Sequence, residues 1–235
     1  MTKYSGEDVL DLMSAFAKNR NAAIEKMIVH GLHLDVGEKK VVEFGAGKGE
    51  FLKRIVRRKN VSVLGVEQDI SFRKFLSDQF TVYSSLQEVN EKVDGIYLID
   101  VLEHLQDDQS YLNDFFAKLK PGGRLFIYVP ARRELFSDFD KKIGHYRRYD
   151  REELIQKVKA AGFEIESVHY HDFVGYLAMI VQKWITGHTF PKPWSAKIYD
   201  RFLFPFGQFF EKSIKPPVGK SIFLTGIAKI SQIKS

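Results

Sequence analysis

Along residues 6–34, apolar side chains recur at Val9, Leu12, Met13 and Phe16, then at Ala23, Ile24, Met27, Ile28 and Leu32. Intervals of three and four predict two amphipathic helices. From residue 40 the pattern changes: "VVEF" is a short β-branched run, glycines break it, and "EFLKRIVRRK" resumes helical spacing. The alternation repeats through "VSVLGVE" and "ISFRKFLSDQF", "TVYSS" and a short acidic helix, "VDGIYLID" and "SYLNDFFAKLK", then "GRLFIYVP". Strands that alternate with helices predict an α/β domain with a doubly wound parallel sheet. "KPGG" reads as a helix stop and turn before the fifth strand. "REELIQKVKAAGFEIESVHY" reads as a helix ending at Gly162 and a sixth strand, and "KSIFLTGIAKI" alternates like a last one.

Residues 173–210 are the least regular stretch and hold eleven aromatics, including both tryptophans of the chain. The longest apolar run there, "FVGYLAMIV", falls far short of the roughly 20 residues of a membrane-spanning helix. One domain is expected. It divides into an N-terminal helical lid (1–36), a cofactor-binding core (37–170), an aromatic insertion (171–218) and a last strand with its tail (219–235).

With 44% apolar residues, 7 Pro and 17 Gly, the chain is globular rather than disordered or fibrous. It has no cysteine, which excludes disulfides, thiolate zinc ligands and a thiol nucleophile. The start, "MTKYSGEDVLDLM", has neither the basic nor the apolar region of a signal peptide, so a cytoplasmic protein is expected. The net charge is +6, and residues 120–151 carry nine Lys and Arg against four acids. A local excess of this kind argues for an anion or membrane-surface site rather than a nucleic-acid stripe.

The turn "EFGAGKGEF" places Gly45, Gly47 and Gly49 at alternate positions after the first strand, with Ala46 between them. Missing β-carbons there let backbone approach a ligand closely. In an open α/β sheet this loop lies at the ligand crevice. A dinucleotide fingerprint would be GxGxxG. Here the spacing is GxGxG, and Glu43 stands two residues before Gly45, where a carboxylate suits a cationic amino group better than a pyrophosphate. Glu67, at the end of the second strand and followed by Gln68, is placed to accept from ribose hydroxyls.

The motifs "VVEFGAGKGEFL", "VLGVEQD", "VDGIYLIDVLEHLQDD" and "KPGGRLFIYVP" cover residues 40–131. In that order and spacing the chain resembles the class I S-adenosylmethionine-dependent methyltransferases. The resemblance implies a Rossmann-like seven-stranded sheet with an antiparallel last strand, and S-adenosylmethionine as cofactor, leaving S-adenosylhomocysteine. It also implies that Glu43 and the glycines line the methionine end, that Glu67 holds the ribose, and that Asp100 and Val101 close the site. After strand 3 the family often has an acid for the adenine amino group, where this chain has "YSSLQEV" and offers Ser85 or Leu86.

For the acceptor, strand 4 ends in "IDVLEHL", not in the (D/N)PP(Y/F) of many amine-methylating nucleic-acid enzymes, so nucleic acid is not the expected partner. The stretch "IGHYRRYD" follows strand 5 and packs His145, Tyr146, Arg147, Arg148 and Tyr149 near the same crevice. Arginine pairs bind carboxylate or phosphate, and a histidine can take a hydroxyl proton. His145 is therefore a candidate base, His104 a rival, and Tyr146 to Tyr149 candidate acceptor contacts. Asp150 is expected to cap the next helix in a capping box with Glu153. Glu103 and His104 are two neighbours and define no coordination shell, so no metal site is expected.

The segments "IGHYRRYDREELIQKVKAAGFEI", "YHDFVGYLA", "IYDRFLFP" and "VGKSIFLTGIAK" also resemble a bacterial methyltransferase subgroup associated with glycan or glycolipid assembly. That resemblance implies O-methylation of a hydroxyl or carboxylate on a glycan, lipid-linked or small anionic acceptor. The aromatic insertion is expected to be the core of a lid. A compatible reading is an amphipathic surface in a bilayer interface at the inner membrane face. Exposure of Phe202, Phe206 and Phe209 together would indicate a lipid-linked acceptor, and their burial a small enclosed one. Other readings are an RNA methyltransferase that uses the basic block as phosphate contacts, and a non-catalytic cofactor-binding subunit of a partner enzyme. The sequence sets no oligomeric state.

Overall fold

The computed structural model of the protein describes residues 17–186, 197–211 and 214–229. The first of the two expected N-terminal helices lies outside these residues. The second is α1 (Lys18–Gly31). Next come β1 (Lys39–Phe44), α2 (Glu50–Ile55), β2 (Val61–Val66), α3 (Ile70–Ser77), β3 (Val82–Tyr83) and β4 (Val93–Ile99). They are followed by α4 (Asp108–Lys118), β5 (Leu119–Pro130), α5 (Asp138–Lys142), α6 (Arg151–Ala160) and β6 (Phe163–His171). The chain then forms α7 (Phe173–Thr186), a π-helical turn Tyr199–Leu203, α8 (Phe204–Glu211) and β7 (Ser221–Ala228).

The seven strands lie in the order β3-β2-β1-β4-β5-β7-β6. β1 pairs in parallel with both β2 and β4, which makes their junction the switch point where ligand crevices form. β7, the strand expected from the alternation in "KSIFLTGIAKI", is antiparallel to both neighbours, as the family resemblance implied. Both faces of the sheet are covered. Val41, Tyr97, Phe126 and Tyr128 pack with Ile24 and Ile28 of α1 on one face. Their strand neighbours Val42, Ile96, Leu98, Leu125 and Ile127 pack with Phe115 of α4 and Leu154 of α6 on the other. Side chains of a strand alternate between faces, so two buried faces make strands apolar throughout.

Three expectations change. "TVYSS" yields only a two-residue edge strand, and the acidic segment after it is a single 3-10 turn, Leu86–Glu88. "KPGG" does not precede β5 but lies within it. Leu119 pairs with Val93 and Arg124 with Gly95, so the intervening residues bulge from the ladder. Gly122 supplies the left-handed φ of 78° that this excursion requires. The aromatic stretch, where described, is regular helix rather than irregular chain. Pro205 has no N–H to return to the carbonyl four residues back, and the helix widens to π geometry just before it.

Candidate active site

The glycine turn is built as expected in backbone and otherwise in side chains. Gly45, Gly47 and Gly49 all take left-handed φ angles of 76°, 53° and 76°. A β-carbon on Gly45 would stand 2.5 Å from Val101 Cγ2, so the turn after β1 and the loop after β4 close on each other at the switch point. The N–H groups of Gly45 and Ala46 donate to the Val66 carbonyl at 2.8 and 3.1 Å. Glu67 closes the turn from above: its carboxylate accepts from Gly47 N at 2.7 Å and from Asp69 N at 2.8 Å.

Glu43 sits beneath the turn, only 3% exposed. Burial pushes its carboxyl well above the usual range, against hydrogen bonds from Tyr97 Oη and the Leu52 backbone. Gly49, the N-cap of α2, has no side chain to offer the helix, and Glu43 supplies an acceptor from below. Ser85 and Leu86, the adenine-side candidates, line one cavity of about 340 Å³ with the cofactor candidate Gln68 and with Phe44, Asp107 and Tyr111. Asp107, an acid on the wall of this cavity, is the N-cap of α4.

Asp100, directly after β4, holds a φ of 53° and gives its carboxylate to Arg20. Arg20 reaches it from α1, with its guanidinium 5.1 Å from the Tyr128 ring centroid. Arg132 after β5 (φ 71°) and Asp172 after β6 (φ 64°) complete a row of non-glycine residues in the left-handed region. All three lie at the carboxyl edge of the parallel strands, where strained backbone marks functional rims.

The stretch "IGHYRRYD" turns its donors inward. His145 Nδ1 and the Arg148 guanidinium both meet Asp140, each at 2.9 Å. Arg147 meets Asp108 at 2.8 Å, and Tyr149 donates to the same carboxylate at 2.7 Å. Despite their burial, Asp140 and Asp108 titrate below the ordinary range, because these cations and donors, with Lys157 on Asp108, favour the charged form. Tyr149 also bridges to Ala131 at the end of β5 and has no exposed surface. Tyr146 is 54% exposed and is the one side chain of the five that faces outward. Beside it lies a cavity of about 350 Å³ lined by Arg133, Phe136, Arg147, Arg148 and Glu153. Asp150 does stand at the N-cap of α6, but makes no side-chain cap. Arg133 draws off both members of the expected capping box, Asp150 at 3.3 Å and Glu153 at 2.7 Å.

Most of the basic block is likewise paired within the chain. Lys120, Arg124, Arg132, Arg133, Lys141, Arg147 and Arg148 all contact acids. Four of those acids, Asp94, Asp108, Glu153 and Glu166, lie outside residues 120–151, so counting charge along the chain overstated the local field.

Glu103, fully buried, gives its backbone carbonyl to Tyr146 N at 2.8 Å, and neither carboxyl oxygen has a hydrogen-bond partner. Burial, with Asp100 nearby, pushes this carboxyl well up. His104 packs edge-on against the His145 ring, centroids 4.6 Å apart. Burial and then His145 lower His104 to about 4.

The insertion joins the rim through polar contacts. Asp200 accepts from the N–H groups of Asn19 and Arg20 at 3.0 Å each and so caps α1, whose own N-cap is Ala17. Asp172 meets Lys220 at 2.7 Å and accepts from Tyr199. His171, 2% exposed, lies 2.8 Å from Tyr128 Oη through Nδ1 and accepts from Gln208 at 2.9 Å through Nε2. Sequence reasoning missed Arg20, yet a signal existed. Arg20, Ile24 and Ile28 are spaced by four and share the buried face of α1. Asp108, Asp140 and Asp200 carried no such signal, since their partners are distant in sequence or of ordinary type.

A Rossmann-like sheet in this order, with a glycine turn, an acid after β2 and Arg20 of α1 set on the β4 edge, defines a nucleotide-cofactor α/β domain of the methyltransferase kind. The chain belongs to the family described as methyltransferase domain, whose model matches residues 8–168. It is 30% identical over 166 residues to phosphoethanolamine N-methyltransferase 1 of Triticum aestivum, covering 63% of this chain and 31% of that protein. It is 26% identical to a probable S-adenosylmethionine-dependent methyltransferase of Mycolicibacterium smegmatis, covering 54% and 52%. The chain thus spans about a third to a half of these curated relatives. The crystal structure of a SAM dependent methyltransferase from Archaeoglobus fulgidus superposes with a TM-score of 0.60 at 16% identity, covering 88% of this chain and 94% of that one.

Proposed function

We propose that the chain transfers a methyl group from S-adenosylmethionine to an oxygen of a lipid-linked acceptor presented at a membrane surface, releasing S-adenosylhomocysteine. The cofactor half rests on family membership together with the glycine turn and Glu67, whose carboxylate would exchange the Gly47 and Asp69 amides for ribose hydroxyls. The methionine carboxylate would take Arg20, and the adenine edge Gln68 and Asp107. Displacement at a sulfonium needs alignment above all, and the proton of an acceptor hydroxyl would pass to His104, the half-buried imidazole steadied by His145. Tyr146 and Arg147 would contact the acceptor from the neighbouring cavity.

The observation that carries the acceptor half is the joint exposure of Phe202, Phe206 and Phe209, at 63%, 60% and 72%. On α7, Trp184 and Ile185 are 85% and 77% exposed. Apolar surface of this extent, with Lys183, Arg201 and Lys215 near it in sequence, matches an interfacial membrane face. No helix among the described residues is long and apolar enough to cross a membrane. The wheat relative favours a second reading, methylation of an amine on a small phosphorylated acceptor.

Two measurements test the two halves. Calorimetry should show micromolar binding of S-adenosylhomocysteine, weakened by about 1 to 3 kcal/mol in Glu67→Ala. A folded wild type that binds none overturns the cofactor half. In flotation with vesicles containing anionic phospholipid, the wild type should rise with the lipid. Phe206→Ser/Phe209→Ser should lose roughly 10-fold or more in partition while still binding S-adenosylhomocysteine. Equal flotation of both proteins would leave the aromatic face without its assigned role and favour the small phosphorylated acceptor.

A further inference from the structure

We infer that Glu103, His104 and His145 form a site for one divalent transition-metal ion at the β4 edge. Each residue offers one ligand atom, and the three atoms lie within 4.8 Å of one another. Glu103 Oε1 and His145 Nε2 are 3.7 Å apart. Tetrahedral donors about 2.1 Å from an ion stand roughly 3.4 Å from each other, so that pair is nearly in place and the widest separation closes by roughly 1.4 Å at most.

Two independent features point to a ligand. Glu103 is a carboxyl with no exposed surface and no hydrogen bond to either oxygen, although such groups are almost always satisfied. The Nε2 of His145 stands 3.7 Å from Glu103 Oε1, too far for a hydrogen bond. The second feature lies behind His145. Its Nδ1 is held by Asp140 at 2.9 Å, and Asp140 is fixed in turn by Arg148 and the Ser137 hydroxyl at 2.9 Å. A carboxylate on one imidazole nitrogen with the other nitrogen turned toward a second donor is the outer-shell arrangement that orients metal-binding histidines. Two imidazoles and one carboxylate suit Zn²⁺, Co²⁺, Mn²⁺ or Fe²⁺ rather than Mg²⁺ or Ca²⁺.

Glu103 is buried while His104 and His145 are both partly exposed, so open coordination positions are reached from the histidine side. An acceptor oxygen that enters there would be bound by the ion, with His104 serving as ligand in place of base. That assignment rests on the methyl-transfer reading; occupancy of the site by metal does not.

Co²⁺ is the probe. Chelator-treated wild type should take up one equivalent with a visible d–d band, and one equivalent of Zn²⁺ should abolish it. His104→Gln should weaken Co²⁺ binding about 100-fold with an unchanged thermal midpoint, and Glu103→Gln likewise wherever it folds. The rival pair His30 and His33, ring centroids 6.4 Å apart, is tested by His33→Gln, which should leave the band intact. A folded wild type without the band, a band retained in His104→Gln, or a band lost in His33→Gln each overturns the inference. S-adenosylhomocysteine calorimetry on the same samples reports the cofactor reading separately, because it needs neither histidine.

Discussion

Glu43 and Glu67 are one residue type in two environments, and the difference decides what each can do. Glu67 meets its partners at the surface of the turn, whereas Glu43 faces Tyr97 inside the core. The spacing of the two acids was legible in sequence. Which of them lies above the turn was not, because that depends on the pleat of β1, where Phe44 and Glu43 point to opposite faces. His171 offers a test at this scale. Gln208 donates to Nε2, so Nδ1 carries the proton toward Tyr128 and the ring is held neutral. Burial lowers its pKa to about 4, against the opposing charge of Asp172. The unfolded chain therefore takes up this proton first as pH falls. Stability should drop between about pH 6.5 and 4, by at most about 3 kcal/mol, and level off below. Urea unfolding across that range should show the slope in the wild type and a flatter profile in His171→Gln.

At the scale of elements, the strands and the helices between them were readable from periodicity, and the seven-stranded sheet with its antiparallel last strand came with the family resemblance. Elements that failed to follow did so for local reasons. "KPGG" bulges because β4 and β5 keep pairing on either side of it. The expected capping box of α6 lost both members to Arg133, a residue no helical pattern associates with it. α1 shows the converse, a cap supplied from 181 residues away by Asp200. Asp200→Ala should cost about 1 kcal/mol in denaturant unfolding, and Asp200→Asn, which keeps an acceptor oxygen, distinctly less. Equal stability of all three proteins would show that α1 is held by its apolar face alone.

Across the whole molecule, the chain sets its charges against one another instead of displaying them. A basic stretch that looked like an anion or membrane-surface site is largely paired with acids of the same chain: His145 and Arg148 hold Asp140 within the segment after β5, and Arg147 ties that segment to Asp108 at the start of α4. Some of these pairs, such as Arg147 with Asp108 and Arg124 with Glu166, join partners far apart in sequence, which is why counting charge along the chain read the stretch as one local positive field. What the sequence suggested only conditionally, an exposed aromatic face, is the surface feature that separates the acceptor readings. Arg20 ties these parts together, with its backbone N–H on Asp200 of the insertion and its guanidinium on Asp100 at the cofactor edge. Because one short helix start bears on both, anything that steadies the aromatic segment also steadies the rim. If the proposed attachment at a bilayer steadies that segment, reciprocity requires that attachment and loading of cofactor strengthen each other by the same factor. An enzyme wired in this way would be best charged where its acceptor is found.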